Sequence, residues 1–279
     1  QERPRAAGPR AAFQGPAGLP NGNLGLALAE GVGTDWGAVD EAVRRIRDPG
    51  YSLRQYHEHI VAAFPELGLY TFTSDGAPGR PAEEILRAGC GSPQEEELAR
   101  LLGAFYAIYW LLRLDIDGKQ GLVFGYDDCW QPRPVLLNRD ADEFRHRPLA
   151  SASPAQRKAH FYRHYPWNAC NELLVSAGLL RSPGPNGSRY SVDGGRLKVL
   201  LVYTAIHDAL KNEALCPTVQ PGHGPFCNYK DGDVVLDHDV ALDYVLTFFG
   251  ELLPSYDGLD ERSRELVHFL SKMGFNNGW

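Results

Sequence analysis

The sequence has no apolar run of the roughly 18 residues that a membrane-crossing helix needs. Its longest candidate, Leu101 to Leu112, stops at Arg113 and Asp115 and reads as a buried helix. Positive charge is also short: 28 Lys and Arg stand against 35 Asp and Glu, a net charge of −7. Non-specific nucleic-acid binders are ordinarily basic, so nucleic acid is not an expected partner. There is no disulfide framework. The five cysteines, Cys90, Cys129, Cys170, Cys216 and Cys227, are scattered and odd in number, which points to a reducing, intracellular compartment. Cys216, His223 and Cys227 lie near one another, but without paired C-x-x-C spacing they are expected to belong to an ordinary loop rather than a zinc site. No internal repeat is visible. The chain opens on Gln1 rather than Met, as expected of a fragment or a processed protein.

What is present suffices for a real core: 279 residues, of which 43% are hydrophobic. An acidic protein that handles phosphates must concentrate positive charge locally, and a metal ion is the usual means.

Three regions follow from the pattern. Residues 1–35 are rich in Gly, Pro and Ala and read as an extended arm. Residues 36–150 read as a helical region of no assigned type. Asp35 to Phe64 carries helical marks broken at Pro49-Gly50, and Ser74 to Pro81 reads as a loop. Pro93 to Leu112 is a helix, with Pro93 in its first turn and Glu95, Glu96 and Glu97 where the helix dipole favours acids. The short run Leu122-Val123-Phe124 is a candidate strand, and Asp127 to Ser153 is loop-like. Residues 151–279 read as an all-helical domain with helices over Pro154–Tyr165, Trp167–Leu180, Arg196–Asn212, Asp237–Leu253 and Asp260–Met273. Gly- and Pro-rich linkers separate them at Ser182–Gly195 and Cys216–Asp233. The fold class expected is therefore mostly α, a helical bundle preceded by an irregular N-terminal region.

The chemistry gathers in the last region. Val199 to Ile206 is apolar almost all round, which marks a buried helix, and it ends in His207-Asp208. A buried carboxylate needs a cation or several donors, and adjacent His and Asp offer a metal one nitrogen and one oxygen. The bland alternative is that the pair merely finishes the helix near solvent. Upstream, His160-Phe-Tyr-Arg-His164 places two imidazoles on one helix face, where surface histidines in a basic stretch are the plainer reading. Downstream, Asp237-His238-Asp239 opens a helix. Asp237 suits the N-cap and Asp239 the first turn, while His238 suits neither as a cation and fits a neutral ring facing a polar pocket.

Together these three segments resemble the class I cyclic-nucleotide phosphodiesterases of the HD superfamily. The matching stretches are His160-Phe-Tyr-Arg-His164, Ala205-Ile-His207-Asp208, and Val235-Leu236-Asp237-His238-Asp239-Val-Ala-Leu, where the family has a helix rich in Ala and Phe. The tail Leu259-Asp-Glu-Arg-Ser-Arg-Glu-Leu-Val-His also looks similar, so the resemblance covers residues 155–275 and nothing before 150. It implies an HD-type helical bundle that hydrolyses phosphodiesters with zinc and magnesium or manganese. His160 would be the acid for the leaving oxygen, and His164, His207 and Asp208 the metal ligands. Lys211 and His238 would meet substrate, a cyclic nucleotide or another phosphoester.

The sequence departs from that family in three places. Lys211 stands where a second His is usual, as in the His-Asp-x-x-Lys pattern of other HD proteins, where Lys meets phosphate. The paired His after the family's Asn is here His238-Asp239. The family's distant Asp ligand and its nucleotide-gripping Gln and Phe fall past the last residue, and Asp257 could replace that ligand only with a different topology. His57-Glu58-His59 is a further source of substitutes. Two other readings follow: an HD-like scaffold without metal or activity, held by protein partners, and a di-iron HD oxygenase using the same His and Asp residues.

Overall fold

The computed structural model describes residues 24, 28, 33–73, 80–135, 152–184 and 189–274. It is mostly helical. Helix α1 (Trp36–Arg45) is capped by Asp35, whose carboxylate accepts the Ala38 N–H at 3.0 Å. After the Pro49-Gly50 break, α2 (Leu53–Ala63) starts from a capping box between Ser52 and Gln55. A 3-10 segment, Pro65–Thr71, follows. It leads to the short α3 (Ala82–Ala88) and to α4 (Pro93–Leu112), which begins at the Ser92 cap and runs over the span its sequence signals.

Beyond α4 come α5 (Leu114–Asp117) and α6 (Gln120–Phe124). The strand expected at Leu122–Phe124 is thus a helical turn. Gly118 and Gly125, at φ 73° and 78°, bracket six residues that pair with no strand among the described residues, and Val123 is buried from a helix instead. Most of the loop expected from Asp127 lies at residues 136–151, outside the described residues, as does most of the loop at Ser74 to Pro81.

The later helices are α7 (Pro154–His164), α8 (Trp167–Ser176), α9 (Gly194–Ile206), α10 (His238–Phe248), α11 (Pro254–Asp257) and α12 (Glu261–Gly274). Between α8 and α9 the linker is not wholly irregular. Strands β1 (Leu180–Arg181) and β2 (Ser191–Val192) pair antiparallel, Leu180 facing Val192. The expected continuation of α8 to Leu180 ends early, because Gly178 takes φ 72° and turns the chain.

One hydrophobic core runs through the described residues and ignores the boundary expected near residue 150. Val39 of α1, Ile60 of α2, Phe105 of α4, Leu201 of α9, Tyr244 of α10 and Val267 of α12 all belong to it and are fully or almost fully buried. α9 packs on α1, α4 and α12, so the apolar helix that ends in His207-Asp208 is the central post. Even the arm contributes, through the buried Leu24 and Leu28.

Two buried charges tie distant segments. Arg113 closes α4 and is 1% exposed. Glu66, fully buried, accepts the Ser255 N–H at 2.7 Å through Oε1, while its Oε2 has no partner. Burial pushes the Glu66 carboxyl up from the ordinary glutamate range, against the lowering bonds from Ser255. A raised folded value means that the folded state holds its proton more tightly than the unfolded chain. Stability is then full below the ordinary value and is lost as pH rises toward the folded one. Glu66→Gln removes this dependence. In urea titrations at pH 4 and pH 7 the wild type should lose more stability between the two than the variant; equal losses would count against a buried, partly unsatisfied Glu66 carboxyl.

Candidate functional site

α9 carries its apolar sequence into the centre of the core and stops where that sequence stops. Leu197, Leu201, Val202, Ala205 and Ile206 are buried, whereas His207 and Asp208 are only partly so. The backbone leaves the helix at Asp208, at φ −110° and ψ 4°, and continues as a 3-10 turn, Ala209–Lys211. The helix expected to reach Asn212 is therefore broken at the carboxylate. That break brings Lys211 back over Asp208, with Nζ donating to Oδ2 at 2.8 Å. The same ammonium lies 3.5 Å from Glu97 on α4.

His207 is fixed by its own helix. Its Nδ1 meets the Thr204 carbonyl at 2.9 Å, and since a carbonyl only accepts, Nδ1 carries a proton and donates. The other nitrogen, Nε2, lies 3.3 Å from Asp208 Oδ2. From the opposite side comes His238, the first residue of α10. Its Nε2 is 3.6 Å from Asp208 Oδ1 and 3.6 Å from Asp239 Oδ1. Asp237 caps this helix, its Oδ1 accepting the N–H groups of Asp239 at 3.1 Å and Val240 at 3.2 Å. Asp237, His238 and Asp239 each offer a ligand atom within 4.8 Å of the others.

The charges reinforce one another. Burial alone would push the Asp208 carboxyl up, but the bonds from His207 and Lys211 outweigh it and hold the group far below the usual carboxylate range. Burial would likewise lower His207, yet the adjacent carboxylate raises it. Lys211 is raised by Asp208 and Glu97 against the desolvation that opposes its charge. Beneath the cluster, the buried Tyr70 hydroxyl donates to the Ala205 carbonyl at 3.2 Å and braces the end of α9.

Four of the six residues singled out from sequence thus meet: His207, Asp208, Lys211 and His238. The other two stand apart. His160 and His164 lie on α7 with ring centroids 4.6 Å apart, and His164 is exposed. Neither forms a hydrogen bond or ion pair with the cluster, and α7 packs instead on α6, Phe124 against Tyr162. Glu97 was legible only as an acid near a helix start; its reach to Lys211 is a tertiary contact with no signal in spacing. Asp239 was readable as a first-turn acid and additionally faces His238. Cys216 turns inward, its thiol 3.5 Å from the Leu210 carbonyl, while Cys227 is exposed. His223 stacks on Phe248 at 3.9 Å.

No family model, curated protein or solved structure matches the chain.

Proposed function

We propose that the chain is a metal-dependent phosphoester hydrolase of the HD kind, with His207 and Asp208 holding a divalent cation, His238 facing the other Asp208 oxygen, and Lys211 meeting the substrate phosphate. The observation that carries this reading is the pair His207 and Asp208. With the Nδ1 proton committed to Thr204, the Nε2 lone pair faces a carboxylate oxygen 3.3 Å away. The same Oδ2 accepts the Lys211 ammonium at 2.8 Å, so a metal ion bound between His207 and Asp208 would take the place of that ammonium. A backbone carbonyl that fixes one ring nitrogen and frees the other is the usual support of a metal-ligating His. Two imidazoles and one carboxylate suit zinc, manganese or iron rather than calcium.

A cation bound there supplies a water ionised near neutral pH and neutralises phosphate charge. Asp208 offers one oxygen toward each imidazole, so it sets the spacing of the ligands. Lys211 would exchange its bond with Asp208 for a phosphate oxygen, remaining on Glu97. The family resemblance expects His164 as a further ligand and His160 as the acid for the leaving oxygen, but α7 docks on α6 and leaves both outside the cluster. Cyclic nucleotides are the substrates that resemblance suggests.

The donor set also favours a second reading. Two His and one carboxylate on a single metal is the arrangement of non-haem iron oxygenases. A third reading, an inactive scaffold, draws on the Lys211 ammonium already seated 2.8 Å from Asp208. One measurement separates them: the metal content of the full chain, purified from medium holding zinc, manganese and iron. Zinc or manganese near one per chain, with hydrolysis of bis(4-nitrophenyl) phosphate, is expected. Iron alone favours the oxygenase, and no metal with no hydrolysis favours the scaffold. Turnover of cyclic AMP or cyclic GMP is expected to stay below roughly 1 per second, because α7 holds His160 and His164 away from the cluster and leaves it without the expected acid and third ligand.

A further inference from the structure

A cavity of about 610 Å³ opens between α2, α3, α4 and the loop 125–133. It is separate from the cluster. Glu97 and Trp110 are thirteen residues apart on α4, about 20 Å at the rise of an α-helix. Ligand pockets commonly run about 300–1,000 Å³, so the size is that of a small-molecule site.

Its walls are aromatic. Trp130 and Tyr106 meet at 84° with centroids 6.0 Å apart and form a corner, and Tyr126 stacks on Trp110 at 5.8 Å. The loop that brings Trp130 there is held open by design of its bonds. Asp127 accepts the N–H groups of Cys129 and Gln131, each at 2.9 Å, and Tyr126 bridges to Pro132. Trp130 itself sits at φ 59°, a left-handed conformation that a bulky residue rarely adopts. Strain of this kind persists where surrounding structure imposes it and is concentrated at ligand-binding positions. Here its result is an indole laid over His57 with centroids 5.0 Å apart.

His57 gives the cavity a polar floor. It is 2% exposed. Its Nδ1 is 2.9 Å from the Tyr106 hydroxyl, while Nε2 is buried without a hydrogen-bond partner. Glu83 lies 3.6 Å from that nitrogen. The tautomer that sets no lone pair against Glu83 has Tyr106 donating to Nδ1 and leaves Nε2 with a proton to give. Trp110 Nε1 is a second buried N–H, turned toward the Tyr126 hydroxyl without a well-formed hydrogen bond. At the rim, Arg87 is exposed and makes no hydrogen bond or ion pair among the described residues, whereas Arg54 is already paired with Glu58 at 3.0 Å. Unfilled donors inside aromatic walls ask for a flat ligand with acceptor atoms on its edge. The lining holds Glu58, Glu83, Asp127 and Asp128 against Arg54, Arg87 and Arg133, so an anion has one place at the mouth, the unpaired Arg87 guanidinium.

We propose that this cavity binds a planar aromatic anion, its ring in the corner of Trp130 and Tyr106, its edge on His57, and its charge on Arg87. The anionic group can be the phosphate of a nucleoside monophosphate or the carboxylate of an aromatic acid, and the test separates them. The full chain in EDTA is titrated with AMP and, separately, with 4-hydroxybenzoate, reading tryptophan fluorescence and equilibrium dialysis. Adenosine and inorganic phosphate serve as the ring without charge and the charge without ring. At least one ring anion should bind saturably below about 1 mM. Adenosine should bind at least tenfold more weakly and phosphate not at all. Arg87→Ala, at an exposed position that folding does not need, and Trp130→Leu should each weaken binding about tenfold or more. The proposal is overturned if neither anion binds in that range, if both variants bind as the wild type does, or if binding is lost in EDTA and returns with metal. The last result would move the ligand to the Asp208 cluster; the first two leave the reading of that cluster untouched.

Discussion

On the proposed reading, Asp208→Ala should leave the protein folded but unable to hold a divalent cation, and phosphodiester hydrolysis should fall at least about a hundredfold, the upper end of what loss of a mere supporting partner costs a metal site. The reason lies in the position of its two oxygens. One faces His207 Nε2 at 3.3 Å and Lys211 Nζ at 2.8 Å; the other faces His238 Nε2 at 3.6 Å. No other carboxylate among the described residues lies within salt-bridge distance of both imidazoles, so nothing takes its place. Lys211 would keep Glu97 as a partner, and the side chain of Asp208 is 23% exposed, which limits the folding cost. Asp208→Asn is the sharper variant, since it keeps the shape and removes the charge. Calorimetric titration with zinc and with manganese reads the effect directly. Unchanged metal affinity in both variants would falsify the assignment of Asp208 as the central ligand. Lys211→Ala should behave differently, keeping the metal and weakening substrate binding, because its ammonium contributes charge for phosphate and opposes a second cation.

The largest effect on stability is expected at Arg113. Its guanidinium is 1% exposed and uses nearly every donor. Nε and Nη2 fork onto Asp117 at 2.6 and 3.0 Å, and Nη1 donates to the carbonyls of Ile46 and Asp48, each at 2.7 Å. It also lies 4.8 Å from the centre of the Tyr109 ring. Arg113 therefore ties the end of α4 to the turn between α1 and α2, satisfying the Ile46 carbonyl and sharing the Asp48 carbonyl with the Tyr51 N–H. Removing one member of a buried charged network costs about 3–5 kcal/mol. For a chain of this size that is a drop in melting temperature on the order of 10 °C. Arg113→Ala should show it in thermal and urea unfolding. Arg113→Lys should fall between, since one ammonium cannot serve the fork and both carbonyls together. A loss under about 1 kcal/mol in the alanine variant, within the ordinary range of surface substitutions, would mean that the turn is held by something other than Arg113.

Much of the helical plan was readable because its signals are local. Ser92-Pro93 and the acids after it fix the start of α4, and the Pro49-Gly50 break separates α1 from α2. Asp237 announced α10 by the same chemistry that lets its carboxylate accept two backbone N–H groups. The apolar run before His207 is what sends α9 through the core, and the core in turn is what makes a carboxylate at its end expensive unless it is paired. His207 and Asp208 read as ligands from sequence for that reason, beside His164 as the third ligand and His238 as a substrate contact.

Which partners they meet was decided by packing. The sequence places His160 and His164 on one helix face beside the other candidates in order, but α7 docks on α6, and spacing along a chain carries no information about that docking. Glu97 reaches Lys211 only because α4 and α9 pack side by side. His57, one of three polar residues in a row by sequence, is turned inward under Trp130, while His59 bonds the Tyr51 hydroxyl at 2.7 Å. The run Leu122–Phe124 shows the same limit: three apolar residues fit a strand or a helical turn equally, and with no strand beside it among the described residues it is a turn. Periodicity and caps act over a few residues and are written in the chain. The company a side chain keeps depends on which apolar faces bury one another, and that is a property of the whole fold.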